Sequence, residues 1–378
     1  MKNIFCLLIL ISCLSFSQDT NSLVDENATK ETQNLFRNLK KLAQTKQTLV
    51  GQQDAFNSYY FDIGGKSDIQ KTTGQNPAIL GLDFAFITSD ENNEKEDNWF
   101  YQQELKIHKD AVQAYEQGMV VTFCWHLPEP FEGKSFYTSE MADFQKENAL
   151  KSILPGGKNH DYYKKKLDKI ASFLLQLKSK KTTIPVIFRP FHELDGNWFW
   201  WGSNYCSAEE YKQLWQFTVT YLRDTKSVHS ILYAFSPDCT YETKEQYLER
   251  YPGDNYVDIL GIDDYEDFNQ KGLEGVKKAQ KKLKMLSDIA LERNKIAALT
   301  ETGYRITFTN SPINGFFSEN IYNAIKGSDS SIAYVMFWTN TKDGYYVPQP
   351  NMPDTQDFIL FTKNKGIILQ NDLPKLYQ

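Results

Sequence analysis

Apolar residues recur along this chain in short, nearly continuous runs, and between most of them lie longer stretches with apolar residues at helical spacing. Strand-like runs occupy Thr48–Gly51, Ala78–Asp83, Met119–Cys124, Ile184–Phe188, Ser230–Phe235, Val257–Asp263, Ala297–Thr300 and Ala333–Trp338. Helical patterns occupy Thr29–Gln44, with Leu35, Leu39 and Leu42 on one face, then Phe100–Gln117, Tyr162–Leu177, Ala208–Tyr221, Lys271–Leu291 and Phe317–Ile325. Buried strands alternating with helices at intervals of roughly 40 residues predict a single α/β domain, a (β/α)8 TIM barrel. A doubly wound open sheet is the alternative. It is disfavoured because no GxGxxG follows the first strand and no Walker-type loop is present. The segments share no repeated motif, and no Pro-, Gly- or Ser-rich linker divides them. The expected division is a signal over 1–17, a loose polar leader over 18–28 and the barrel over 29–378. Long connections are expected from Asp62 to Asn76 and from Pro128 to Asn159.

Composition narrows the class. Of 378 residues, 24% are charged and 41% hydrophobic, as in an ordinary globular protein. A net charge of −6 gives no support to a nucleic-acid partner or an anionic membrane surface. Lys2, the apolar run Ile4–Leu14 and Ser15-Phe16-Ser17 ahead of Gln18 read as an export signal. The apolar run is about half of the roughly 20 residues that a membrane span needs. Export implies a secreted or periplasmic protein, expected to be a monomer. A second reading takes Leu10-Ile11-Ser12-Cys13 as a lipoprotein box with a lipid anchor at Cys13. Beyond Cys6 and Cys13 the chain carries Cys124, Cys206 and Cys239, with no CxxC pair. These permit either a Cys206–Cys239 disulfide or three free thiols. Five histidines with no HxH or HExxH offer little to ligate a metal, so no metal is expected.

In such a barrel the site lies at the C-terminal ends of the strands. The residues there are Gln52-Gln53-Asp54, Asp83-Phe84, Trp125-His126, His192-Glu193, Ser236-Pro237-Asp238, Asp263-Asp264-Tyr265, Glu301-Thr302-Gly303 and Trp338-Thr339-Asn340. Trp125, Trp198, Trp200, Trp201 and Trp338, five of the seven tryptophans, fall on this face. Flat apolar rings beside carboxyl groups suit a sugar-binding cleft. Glu193 and Glu301 follow the fourth and seventh strands, on opposite sides of the mouth. Glycosidic cleavage needs such a pair, a protonated acid on one side of the anomeric carbon and a carboxylate on the other. Partial burial beside indoles would favour the neutral form of Glu193.

The run Arg189-Pro190-Phe191-His192-Glu193-Leu194-Asp195-Gly196-Asn197-Trp198-Phe199-Trp200-Trp201-Gly202 resembles the acid/base motif of glycoside hydrolase family 26, the endo-β-1,4-mannanases. Gly51-Gln52-Gln53-Asp54, Ser67–Gln70 through Pro77–Asp83, Trp125-His126, Asp263-Asp264-Tyr265 and Glu301-Thr302-Gly303 fit further motifs in the family's order. The resemblance implies a retaining double displacement on a β-mannan substrate, with Glu193 as acid/base and Glu301 as nucleophile, without a cofactor. It also implies sugar contacts from His126 and His192, a hydrogen bond from Tyr265 to the nucleophile, and aromatic platforms at Trp198 and Trp338. His126 also reads as a structural hydrogen-bonder, Tyr265 as a packed core residue, and Trp200 as core rather than platform. Asp263 is expected at the substrate, and with Asp54, Asp83 and Asp238 it reads either as a ligand of sugar hydroxyls or as a local cap. Thr339 follows Trp338 where several family members carry arginine, which implies that the arginine's grip on a distal sugar is missing. Other readings keep the fold and change the substrate to mixed-linkage β-glucan or β-1,3-xylan, make the action exo, or leave a carbohydrate-binding protein without turnover.

Overall fold

The computed structural model describes residues 23–57, 66–307 and 309–378. The expected signal and the Cys13 lipid site lie outside the described residues. The chain forms β1 (Thr48–Gln53), β2 (Ile79–Asp83), β3 (Val120–Cys124), β4 (Val186–Arg189), β5 (Ile231–Phe235), β6 (Ile259–Asp264), β7 (Ile296–Thr302) and β8 (Ile332–Phe337). Each strand pairs in parallel with the next, and β8 returns to β1 with Val50 opposite Val335, closing the barrel. The short segment Ile367–Ile368 pairs alongside the start of β1.

Strand residues alternate between two apolar layers, as the period of two demands. Val50, Leu80, Val121, Val186 and Phe188 belong to the layer between strands and helices. Leu49, Ile79, Val120, Ile187, Leu232, Ile259 and Ile296 belong to the barrel interior. Burial on both faces is why these strands read as near-continuous apolar runs. Helix α1 (Lys30–Gln44) starts at Thr29, whose side chain accepts from the Thr32 N–H, and its Leu35, Phe36, Leu39 and Leu42 join the interior layer.

The other helices are α2 (Asp68–Thr73), α3 (Ala85–Thr88), α4 (Trp99–Glu116), α5 (Asp143–Ile153), α6 (His160–Gln176), α7 (Ala208–Thr220), α8 (Lys244–Leu248), α9 (Gly272–Glu292), α10 (Tyr322–Lys326) and α11 (Thr355–Lys363). Helix α7 continues in a wider π-type turn over Tyr221–Thr225, and a similar turn over Phe316–Ile321 leads into α10. Among the described residues, no helix is long and apolar enough to cross a membrane.

Several boundaries differ from expectation. β4 begins at Val186 rather than Ile184, because Pro185 has no N–H for the ladder and Ile184 instead donates to the Leu177 carbonyl at 3.0 Å. Both long connections contain a helix, α2 in one and α5 in the other; each is short and carries too few apolar residues for a periodic signal. The loose leader is corrected from Leu23 onward, since Leu23, Val24, Asp25 and Ala28 are buried. The Val24 N–H donates to Asp258 Oδ1 at 2.8 Å, and its carbonyl accepts from Arg223 Nη1 at 2.9 Å. Cys124, Cys206 and Cys239 are buried free thiols, so the Cys206–Cys239 disulfide is not formed. Cys206 Sγ points instead to the carbonyls of Trp201 and Gly202.

Candidate active site

The C-terminal ends of the strands open on a cleft of about 820 Å³. β4 delivers Arg189, Pro190 stops the ladder, and the chain then turns sharply. Phe191 and Glu193 take φ of 50° and 52°, a left-handed backbone that a bulky residue rarely adopts. Hydrogen bonds hold the turn at three points. The Glu193 N–H donates to the Ser236 carbonyl at 2.9 Å, Trp201 Nε1 to the His192 carbonyl at 2.7 Å, and Tyr211 OH to the Phe191 carbonyl at 3.1 Å. The Glu193 side chain enters the cleft, where its Oε2 accepts from Trp198 Nε1. Burial, then the negative charges of Glu301, Asp263 and Asp238, push the Glu193 carboxyl well above the usual range, against the opposing effect of the Trp198 N–H.

Glu301 arrives on β7 in a different setting. A register shift between Ile262 and Asp263 places Asp263 opposite Glu301. Glu301 Oε1 accepts from Arg189 Nη2, and its Oε2 accepts from Tyr265 OH at 2.8 Å. Arg189 Nη1 donates to Asp263 Oδ2 at 2.7 Å and to Ser236 Oγ at 3.1 Å. Burial works against the Arg189 charge, but Asp263 and Glu301 outweigh it and raise its pKa. Two carboxyl groups of one cleft therefore differ. Glu301 accepts from two donors, Arg189 and Tyr265, while Glu193 is placed where the proton is retained.

The remaining predicted residues divide. His126, His192, Trp198, Tyr265 and Trp338 line the cleft with the two glutamates. The His126 and His192 rings meet edge to face at 4.7 Å, and Trp338 lies 5.9 Å from His126. His126 Nδ1 is 2.6 Å from Asp83 Oδ2. Burial alone would raise Asp83, but His126 and two backbone N–H groups outweigh it and hold the carboxyl below its usual value. Burial, with Arg189 and His126 nearby, pushes His192 well below the ordinary histidine value, which keeps its ring neutral at neutral pH.

Asp263, expected at the substrate, has no exposed surface and does not line the cleft; it accepts hydrogen bonds from Arg189, Ser236 and Thr300. Asp54 lies outside the cleft, Asp83 serves His126, and Asp238 does line the cleft. The tryptophan cluster divides as well. Trp125, Trp200 and Trp201 are fully buried, whereas Trp198 is 38% exposed and rests against Gly196. Trp200 Nε1 donates to the Leu127 carbonyl at 2.8 Å, a core role.

Sequence reasoning missed Tyr137, Phe199, Arg305 and Tyr346, all of which line the cleft. Tyr137 stacks on Phe199 at 5.6 Å, and Tyr346 meets Tyr265 at 6.0 Å. The aromatic pairs Phe136-Tyr137 and Tyr345-Tyr346, set in otherwise polar loops, were the available signal.

Two groups of ligand-type side chains lie close together, Asp83 with Cys124 and His126, and Cys239 with Asp264 and Asp267. In the first, Asp83 already takes His126 as a hydrogen-bond partner. In the second, the Lys282 ammonium bonds Asp267 at 2.6 Å and supplies the countercharge.

Known proteins resemble this chain throughout. The family model for glycosyl hydrolase family 26 matches residues 24–344. A mannan endo-1,4-beta-mannosidase of Bifidobacterium adolescentis is 34% identical over 368 residues, covering 93% of this chain but 36% of that longer protein. One from Bacillus subtilis is 27% identical over 349 residues, 89% of this chain and 87% of the relative. Among solved structures, GH26C from a Muricauda species is 54% identical, with a TM-score of 0.93 over 94% of this chain and 96% of that one. A modular endo-beta-1,4-mannanase from Cellulomonas fimi is 31% identical, with a TM-score of 0.85 over 94% and 79%. With the closed barrel, the paired glutamates and a match over nearly the whole described length, the chain belongs to glycosyl hydrolase family 26.

Proposed function

We propose that the protein is a retaining endo-β-1,4-mannanase that hydrolyses mannan, glucomannan or galactomannan, with Glu301 as nucleophile and Glu193 as acid/base. The observation that carries this reading is the contrast between the two carboxyl groups of one cleft. Glu301 is fixed at the cleft by two donors, Arg189 and Tyr265, which orient it for attack. Glu193, half-buried beside the negative charge of Glu301, keeps the proton that the departing sugar oxygen needs. When Glu301 becomes a glycosyl ester its charge disappears, and one of the causes raising Glu193 goes with it. Having given its proton to the departing sugar, Glu193 then stays ionised and can take a proton from the water that attacks the ester, and two displacements at the anomeric carbon keep its configuration. Trp198 and Trp338 offer the flat faces, and His126, with His192 packed against its ring, the polar contact to the sugar.

The relatives named as mannan endo-1,4-beta-mannosidases support the choice of sugar. The signal-like residues 1–17 support export, with action as a monomer. Glu193→Gln and Glu301→Gln should each lower turnover on mannan by several orders of magnitude while the melting temperature stays close to wild type. Near-normal turnover in either variant removes the assignment. Galactomannan, glucomannan, linear mannan, lichenan and β-1,3-xylan should be compared, with product sizing. A ladder of manno-oligosaccharides is expected; mannobiose alone would mean exo action, and preferred cleavage of lichenan or xylan would replace the substrate.

A further inference from the structure

The loops after β7 and β8 are tied into one small antiparallel ribbon at the rim of the cleft. The Ile306 N–H donates to the Tyr345 carbonyl and the Tyr345 N–H to the Ile306 carbonyl, both at 2.8 Å, and Thr341 bridges Gly344. Arg305 stands immediately before this ribbon. Its stem lies across Gly344, where a Cβ would come within 2.6 Å of Arg305 Cγ and 2.9 Å of Nε. Seated there, the side chain joins the cleft wall beside Tyr304, Asn310 and Tyr346.

The charge around it is uneven. Among the described residues lining the cleft, Glu193, Asp238, Glu266 and Glu301 are acidic, and Arg305 is the only arginine or lysine. Its guanidinium is exposed, and it has neither a salt bridge nor a hydrogen bond to another described residue. Arg189, by contrast, is buried and spends its donors on Asp263, Ser236 and Glu301. A guanidinium carries five donors in a rigid fork that suits two adjacent oxygen acceptors. Neighbouring hydroxyls of a pyranose ring present such a pair.

We propose that Arg305 is a substrate-binding residue that takes vicinal hydroxyls of a hexose unit away from the scissile bond. The inference rests on the reading of the site as a glycan hydrolase and adds a contact that none of the sequence motifs indicated. Because Arg305 is not bonded to Glu193 or Glu301, its contact belongs equally to ground state and transition state. Its loss therefore appears in KM rather than in kcat.

Arg305→Ala and Arg305→Lys should be compared with wild type on β-1,4-linked manno-oligosaccharides of increasing length. For the longer oligosaccharides Arg305→Ala is expected to raise KM by about tenfold or more, the range of a lost charged hydrogen bond, with kcat within about twofold. Arg305→Lys should recover part of the loss, since it keeps the charge without the fork. KM unchanged at every length in Arg305→Ala overturns the proposal. So does a loss confined to kcat, or a fall in melting temperature that accounts for the lost activity, since that outcome makes Arg305 a loop brace. If wild type leaves mannan intact but cleaves another β-glycan, the choice of substrate has failed. The same comparison on oligosaccharides of that glycan then decides Arg305 separately.

Discussion

At the scale of single residues, acidity in this cleft is set by burial more than by residue type. Asp238 lines the cleft with only 9% of its surface exposed. Burial, and then the charge of Asp195, push its carboxyl up from 3.8 to about 7. The native state therefore binds this proton more tightly than the unfolded chain. Below about pH 4 the group is neutral in both states and costs nothing. Between about pH 4 and 7 the penalty of ionising it in the native state grows, and above pH 7 it is complete. Asp238→Asn removes the penalty and should be more stable than wild type at pH 8, by up to about 4 kcal/mol, with the advantage vanishing near pH 4. Urea unfolding of both proteins at the two pH values checks it, and equal stability at pH 8 would show that Asp238 is solvated like a surface carboxylate. Candidate residues were legible from their positions after strands, but their roles were not. Asp238 follows β5, whereas Asp263 lies within β6; Asp263 is buried with Arg189, Ser236 and Thr300, and Asp238 faces the cleft.

At the scale of elements, the barrel tolerates little change where strands carry glycine inward. Gly51 on β1 faces the interior, where a Cβ would come within 2.8 Å of the Ile79 Cβ and closer still to Met336 Sδ. Those neighbours lie on β2 and β8, so an added methyl presses on both strands that flank β1. Gly51→Ala should cost about 1–3 kcal/mol, the usual range for overpacking a filled core, read as a lower denaturant midpoint with an unchanged slope. Strand existence was legible because burial on both faces leaves long apolar runs. Strand ends were less so, as Ile184 shows. The short helices α2, α3 and α8 escaped notice for a related reason: each is too short to display a period. Of the three neighbouring tryptophans, Trp200 is core as expected, and Trp201 joins it despite the polar neighbours; both find carbonyl partners for their indole N–H groups.

At the scale of the whole molecule, the barrel is closed sideways by the β1–β8 pairing, and α1 packs its apolar face into the interior layer. The segment before α1 takes part in this arrangement. The Val24 N–H satisfies Asp258, itself buried just ahead of β6, and Asp25 pairs with His229 at 2.7 Å. A chain beginning at Thr29 should therefore be less stable than one beginning at Gln18. The expected loss is about 2–4 kcal/mol, from the uncovered apolar surface and the Asp258 oxygen left without this donor. Chemical denaturation of the two chains tests this, and coincident curves would return the segment to the status of a loose leader.

The sequence by itself determined the barrel, the order of its strands and the two glutamates that line its cleft. Those follow from local rules: burial on both faces writes apolar runs, and parallel strands joined by helices bring their C-terminal residues to one end. Tertiary structure alone decided which side chains reach the cleft. The tryptophans were separated into cleft wall and core, Asp263 was committed to Arg189, and Tyr137, Arg305 and Tyr346 were brought in from loops distant in sequence. These outcomes depend on which loops pack together and which donors find acceptors, and a linear pattern carries no record of either.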